Sequence, residues 1–182
     1  HAKRKHRARR FFHERTKGIG TLTKEDAVSF GVTGPTGRAS GFSCDVRKHE
    51  SYSAYDRVKF NEVLYTEGDT YHRYLARIEE MRESMNIIDQ LIDNIPEGEY
   101  AVKMKPIIKL PEGEYYQRVE TARGVLGVYI VSDGNKNPFR VKFRSPNFVN
   151  LSALNLMAKD FKIADLVAIG GSLDMIIPDI DR

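Results

Sequence analysis

Few residues in this 182-residue chain combine type and spacing in a way that suggests chemistry. The most pointed is Asp174, a carboxylate inside the hydrophobic run Leu173-Asp174-Met175-Ile176-Ile177. A carboxylate carried into apolar surroundings is costly unless paired, and a perturbed one beside a cavity is a candidate proton carrier. A structural ion pair to an arginine such as Arg38 or Arg144 is the competing account. A second group is Arg140, Lys142 and Arg144, three cations at alternate positions. Alternation places them on one side of a strand, where they can hold an anion, meet a partner, or form a solvated face.

Other familiar chemistry is missing from the sequence. The chain contains no H-E-x-x-H, C-x-x-C or G-x-S-x-G. The histidines, His1, His6, His13, His49 and His72, show no metal-ligand spacing within a structured region. One cysteine, Cys44, excludes an internal disulfide and any cysteine-only metal or cluster site. The glycine-rich run Gly31–Gly41 (GVTGPTGRASG) fits neither a dinucleotide fingerprint nor a P-loop. It is expected to be an irregular loop where backbone passes close to a neighbour. Glu79-Glu80 reads as the solvated face of a helix.

The elements that must position Asp174 follow from periodicity. Thr23 caps a short helix that Gly31 ends, with Asp26 at the capping-box position. Residues Asp45–Tyr65 read as loop with one short strand near Val58–Phe60. From Thr70 to Ile95, apolar residues recur at steps of one, three or four, through Tyr74, Ile78, Met81, Met85, Ile88, Leu91 and Ile95. That is one face of an α-helix roughly 39 Å long. Asp69 or Thr70 caps it, Pro96 stops it, and Met81 and Met85 are expected to fill core. Ala101–Leu110 reads as an edge strand because of Pro106. Val125–Ser132 and Phe139–Arg144 flank a Gly/Asn/Pro turn and form a β-hairpin. Ser145 and Pro146 start a helix to about Lys159, and a second runs from Ile163 to Gly170-Gly171. The fold class is α+β and helix-dominated: a long amphipathic helix, a β-hairpin and C-terminal helices. The hydrophobic end of the chain requires a receiver.

The charge is unevenly distributed. Residues 1–10 hold six Lys/Arg and no acid, leaving 23 basic against 25 acidic side chains in the body. The domain reading is therefore a basic disordered arm at 1–10 and one domain at 11–182. Clustered cations can bind phosphates or anionic lipid. The plainer account is a terminal arm or a non-native start. No apolar run approaches the ~20 residues that span a bilayer, and no signal peptide is visible.

Six segments, taken in order, resemble one family. They are RTKGIGTLTKEDAVSFGVTGPTGRASG (Arg15–Gly41), DVRK (Asp45–Lys48), YHRYLARIEEMRESMNIIDQ (Tyr71–Gln90), GVYIVSDG (Gly127–Gly134), VKFRSPNF (Val141–Phe148) and the closing IADLVAIGGSLD…DIDR. Together they resemble the C-terminal half of the 49-kDa-type subunit of respiratory NADH–quinone oxidoreductase (complex I), from about Arg15 to Arg182.

The resemblance implies a partial nickel–iron hydrogenase large-subunit-like fold, without the cysteines that hold the hydrogenase metal. It implies quinone reduction at an interface with a partner subunit carrying a [4Fe–4S] cluster, coupled to proton translocation. NADH is oxidised on another subunit, and this chain holds no cofactor itself. The complex has a membrane arm, and the subunit sits peripherally on the cytoplasmic side of a bacterial inner membrane. By the family's C-terminal motif, Asp174 and Ile176 line the quinone cavity, with Asp174 in a proton-relay role. Arg38, Arg47 and Arg144 stabilise structure or the interface. The family's histidine and tyrosine at the quinone lie in an N-terminal half that is not among these residues, so the chain alone is expected to be inactive.

The sequence departs from the family at Cys44, where tryptophan is usual, and at Val125, where glutamate is common. It departs again at Pro178-Asp179, in place of Gly-Glu, and in a short connection between long helix and hairpin. The alternatives are a quinone or phenazine oxidoreductase fed by ferredoxin or deazaflavin, a non-catalytic truncated remnant, and a binding module whose basic arm holds nucleic acid. The last predicts salt-sensitive binding lost on deleting residues 1–10.

Overall fold

The structure is a computed structural model and describes residues 9–104 and 106–181. Helix α1 covers residues 9–14. It is followed by α2 (Lys24–Ser29), α3 (Gly34–Ala39), α4 (Val46–His49) and the long α5 (Thr70–Leu91). Strands β1 (Gly113–Thr121), β2 (Gly124–Ser132) and β3 (Arg140–Arg144) come next, then α6 (Pro146–Ser152), α7 (Leu154–Ala158), α8 (Ile163–Ser172) and α9 (Ile177–Ile180). The architecture is α+β, with one antiparallel sheet in the order β1-β2-β3.

Local signals account for the helix starts. The Thr23 hydroxyl accepts from the Asp26 N–H at 3.1 Å, and the Ser145 hydroxyl from the Phe148 N–H at 3.3 Å. Each satisfies an amide that the helix itself leaves unpaired. Asp69 caps α5 by accepting from the His72 N–H at 2.8 Å, and it also holds the His72 ring at 2.7 Å.

The main core gathers Leu22, Ala27, Val32, Ala153, Met157, Ile169 and Leu173. Loop, α2, α7 and α8 thus close on one another, and each fully buried Leu, Ile or Met stabilises by about 1.5–3 kcal/mol. Leu173 is 0% exposed, so the closing segment is anchored directly beside Asp174. Beyond it Ile177 turns outward. A smaller cluster packs Val58, Phe60 and Ile87 with Tyr55 and Leu91.

Several expectations are corrected. Gly31–Gly41 is not an irregular loop: α3 occupies its centre, and all six of its residues are buried. The expected close approach is nonetheless real, since a Cβ on Gly34 would lie 2.5 Å from the Arg123 carbonyl. Val58–Phe60 is buried at its ends but is not a strand. Its backbone is held instead by α5 side chains: Gln90 Oε1 accepts from the Lys59 N–H at 2.9 Å, and Asn86 Nδ2 donates to the Lys59 carbonyl at 3.1 Å. Among the described residues of 101–110 no strand forms; Lys105 lies outside them.

The sheet's third strand is β1, in a stretch that the sequence pattern presents only as connection; Tyr116 pairs with Tyr129 and Arg118 with Gly127. Helix α5 ends at Leu91, followed by a 3-10 turn at Ile92–Asn94. Of its predicted core face, Met81, Met85, Ile88, Ile92 and Ile95 are exposed while Leu75, Ile78 and Leu91 are half-buried, whereas Thr70, His72, Arg73 and Ala76 are buried. In the basic arm, residues 1–8 lie outside the described residues. Arg9 and Arg10 are helical rather than disordered, and Arg10 pairs with Glu14 at 2.7 Å.

Candidate functional site

Asp174 follows α8 with a positive φ of 54°, a conformation that residues with a Cβ adopt at a cost. Its anchor is the wholly buried Leu173. The expected ion pair to Arg38 or Arg144 is not formed. The partner is Arg123, in the tight turn between β1 and β2, with Nε 3.2 Å from Oδ2 of Asp174 and Nη2 3.5 Å from Oδ1. The same Nε donates to the Asp174 carbonyl at 3.1 Å, so side chain and backbone are held together. Asp174 is 43% and Arg123 31% exposed at the side chain. Solvent screening therefore keeps the pair in the range of about 0–1 kcal/mol.

A second cation faces the carboxylate. Arg77, on α5, is largely buried, and burial holds its guanidinium below its ordinary pKa, with Asp174 and Glu80 opposing that. Its Nη1 donates to the Arg73 carbonyl at 3.0 Å, while its buried Nε has no hydrogen-bond partner among the described residues. Arg77 and Asp174 together line two clefts. One, of about 470 Å³, is lined also by Arg38, Arg47, Tyr55, Glu80 and Glu120. The other, of about 380 Å³, lies against Phe12, Thr16, Thr70, Tyr74 and Ser172. A carboxylate in contact with water, beside two guanidinium groups, can bind a polar group and exchange a proton with it.

The remaining predicted residues divide by their partners. Arg38, only 1% exposed, donates from Nε to Glu80 Oε1 and from Nη1 to Glu120 Oε1, each at 2.7 Å. Burial opposes its charge, but the two carboxylates hold it protonated. Arg38 thus ties α3 to α5 and β1 beneath the larger cleft. Arg47 pairs with Asp45 through Nε and Nη2 at 2.9 and 2.7 Å, and its guanidinium lies 5.0 Å from the Phe60 ring centre. Arg144 donates to the carbonyls of Val125 at 2.5 Å and Gly31 at 2.7 Å, joining β3 to the loop before α3. Ile176 immediately precedes α9 and is not among the residues lining either cleft. Burial pushes the Cys44 thiol up to about 11, which favours the protonated form at neutral pH. Among the described residues no group of three or more His, Cys, Asp or Glu is placed to hold a metal ion.

Arg77 and Arg123 are the site residues that sequence reasoning misses. Arg73 and Arg77 do carry a signal, since a four-residue step puts two cations on one helical face. Arg123 carries none, because its partner lies 51 residues further along the chain.

The family model for the 49 Kd subunit of respiratory-chain NADH dehydrogenase matches residues 3–109 and 104–182, two stretches that meet in the connection between α5 and β1. The chain is 58% identical to the C/D-type NADH-quinone oxidoreductase subunit of Phocaeicola vulgatus, over 93% of this chain and 33% of that protein. It is 48% identical to the D-type subunit of Desulfotalea psychrophila, over 93% of this chain and 46% of the relative. The second D-type subunit of Rhizobium etli is 42% identical, over 95% of this chain and 49% of its own length. The chain thus spans a third of the C/D relatives and just under half of the D relatives.

Proposed function

Because the chain belongs to the family of the 49 Kd subunit of respiratory-chain NADH dehydrogenase, we propose that it forms part of the quinone site of an NADH:quinone oxidoreductase. In this reading, electrons reach the quinone from a [4Fe–4S] cluster on a partner subunit, and NADH is oxidised on another. Reduction to quinol adds two electrons and two protons at the carbonyl oxygens. Asp174 supplies or relays a proton, Arg123 orients its carboxylate, and the Arg77 guanidinium adds positive charge beside it. Arg38, Arg47 and Arg144 hold the scaffold, and Ile176, which lines neither cleft, has no place at the quinone in this reading. In the same reading the chain has part of a hydrogenase large-subunit-like fold, takes part in proton translocation, and lies peripherally on the cytoplasmic side beside a membrane arm. No helix among the described residues is long and apolar enough to cross a membrane. The relatives' names, NADH-quinone oxidoreductase, favour NADH over ferredoxin or deazaflavin as the source of electrons.

The observation that carries the proposal is the setting of Asp174: half-solvated, strained, faced by two arginines, and shared by two clefts. The test is Asp174→Asn in the complete complex. Quinone reductase activity should fall by about 10²-fold or more, the range for loss of a positioned acid–base group. NADH oxidation by an artificial acceptor that bypasses quinone should persist. Unchanged quinone reduction and proton pumping would remove the role assigned to Asp174.

A further inference from the structure

Strand β3 is one of the two outer strands of the sheet, and both of its faces are solvent-facing over residues 140–143. On one face Lys142 stands opposite Tyr129, itself paired with Tyr116, while Arg144 stands opposite Gly127 and Arg140 opposite Val131. These side chains border an open cleft of about 480 Å³. No ion pair among the described residues involves Arg140, Lys142 or Arg144. Arg144 is engaged by the carbonyls of Val125 and Gly31 rather than by a direct carboxylate contact among the described residues. The nearby acids are occupied: Glu114 accepts from the Tyr129 hydroxyl, and Glu50 pairs with Arg118. On the other face Val141 and Phe143 are 42% and 45% exposed, and the preceding Phe139 is 78% exposed.

Charges on an edge strand can simply guard it against pairing. That accounts for Arg140 and Lys142 but not for three large apolar side chains left in water among them. Pairing with a second copy of β3 would set cations beside cations, which is unfavourable across a ladder. We infer that β3 is an addition edge for an extended segment of a partner protein whose residues alternate acidic and apolar. Backbone hydrogen bonds would extend the sheet, carboxylates would lie over Arg140, Lys142 and Arg144, and apolar residues would cover Val141 and Phe143. The edge shares no lining residue with the clefts at Asp174, so it can bind independently of any quinone there.

The test uses the 182-residue chain and a labelled peptide of sequence EVEVEVE, read by fluorescence anisotropy. Binding should be saturable and should protect the β3 amides from hydrogen exchange. It should weaken about tenfold or more with the composition-matched EEEEVVV, with EVEVEVE N-methylated at every second residue, and with the R140E/K142E variant. F143S, which keeps every cation, should weaken it as well, and circular dichroism of both variants should match the parent. Equal binding of EVEVEVE and EEEEVVV would reduce the edge to a charge attractor and overturn the inference. So would no binding of EVEVEVE, or binding of phosphatidylglycerol vesicles in its place.

Discussion

Burial assigns the arginines different work. Arg38 is neutralised by two carboxylates, Arg123 is partly in water, and Arg73, 0% exposed, forms no ion pair among the described residues, with Asp69 its nearest opposing charge. Arg73 instead donates to the carbonyls of Gly68 at 2.6 Å and Gly20 at 2.9 Å, and to Ser172 Oγ at 2.8 Å. It thereby ties the start of α5 to the loop before α2 and to the end of α8, one residue before the segment that carries Asp174. Burial pushes its guanidinium down to about 9. Lysine has the charge but not the fork, so Arg73→Lys should leave buried carbonyls unpaired. A loss of about 2–4 kcal/mol in urea unfolding is expected.

Asp45 gives the matching pH prediction. Burial raises its pKa, but the hydrogen bonds and charge of Arg47, with Arg38 nearby, outweigh that and hold the carboxyl below the ordinary range. A depressed folded pKa contributes stability above the unfolded value, about 3.9, and loses it as pH falls through the folded one. The destabilisation by Asp45→Asn, measured by denaturant titration, should therefore be full at about pH 6–7 and shrink below about pH 4. None of these partnerships is legible in the sequence. Arginine has the same letter whether it meets a carboxylate, a carbonyl or water, and only the fold brings the partner.

At the scale of elements, what can be read is what is local. Thr23, Asp69 and Ser145 announce their helices because the cap bond spans three residues. Strand β2 and strand β3 announce themselves by β-rich runs around a turn. Helix α3 does not, because GPTGRA has poor helix propensity and is helical through burial of every residue. Strand β1, GEYYQRVET, lacks clean alternation and is fixed by pairing with β2. Glycine spacing points to close approach, and the sharpest instance is Gly68, with φ +63° and a Cβ position 2.0 Å from the Leu22 carbonyl. The Gly68 N–H donates to the Ala39 carbonyl, and its own carbonyl accepts from Leu22 and Arg73. Gly68→Ala therefore adds a backbone clash to left-handed strain where three segments cross. A destabilisation of about 2–4 kcal/mol is expected, while Gly134→Ala, with nothing within 4 Å of its Cβ, isolates the strain alone at about 1 kcal/mol. Equal effects at the two positions would show that the three segments have room to move apart.

For the molecule as a whole, the sharpest departure from the sequence pattern is the direction α5 faces. Periodicity locates the helix but cannot say whether its apolar stripe meets this chain's own core. Helix α5 packs against α3 and α8 and buries Thr70, His72, Arg73 and Ala76 near its start, while Met81, Met85, Ile88 and Ile92 are exposed. Neighbouring isoleucines make the contrast measurable. Ile87 is 8% exposed and packs on Val58 and Phe60; Ile88 is 56% exposed. Ile87→Ala should cost about 2–4 kcal/mol, the range for a core truncation. Ile88→Glu should change stability by no more than about 0.5 kcal/mol, because it removes no core contact in the folded chain. An apolar stripe of this extent also predicts that the isolated chain self-associates as concentration rises. The double variant I88E/I92E should then sediment as a smaller species than the parent at the same concentration, with an unchanged urea midpoint. A large loss of stability in I88E would mean that the stripe is core after all, and that α5 is rotated about its axis so that Ile88 faces inward.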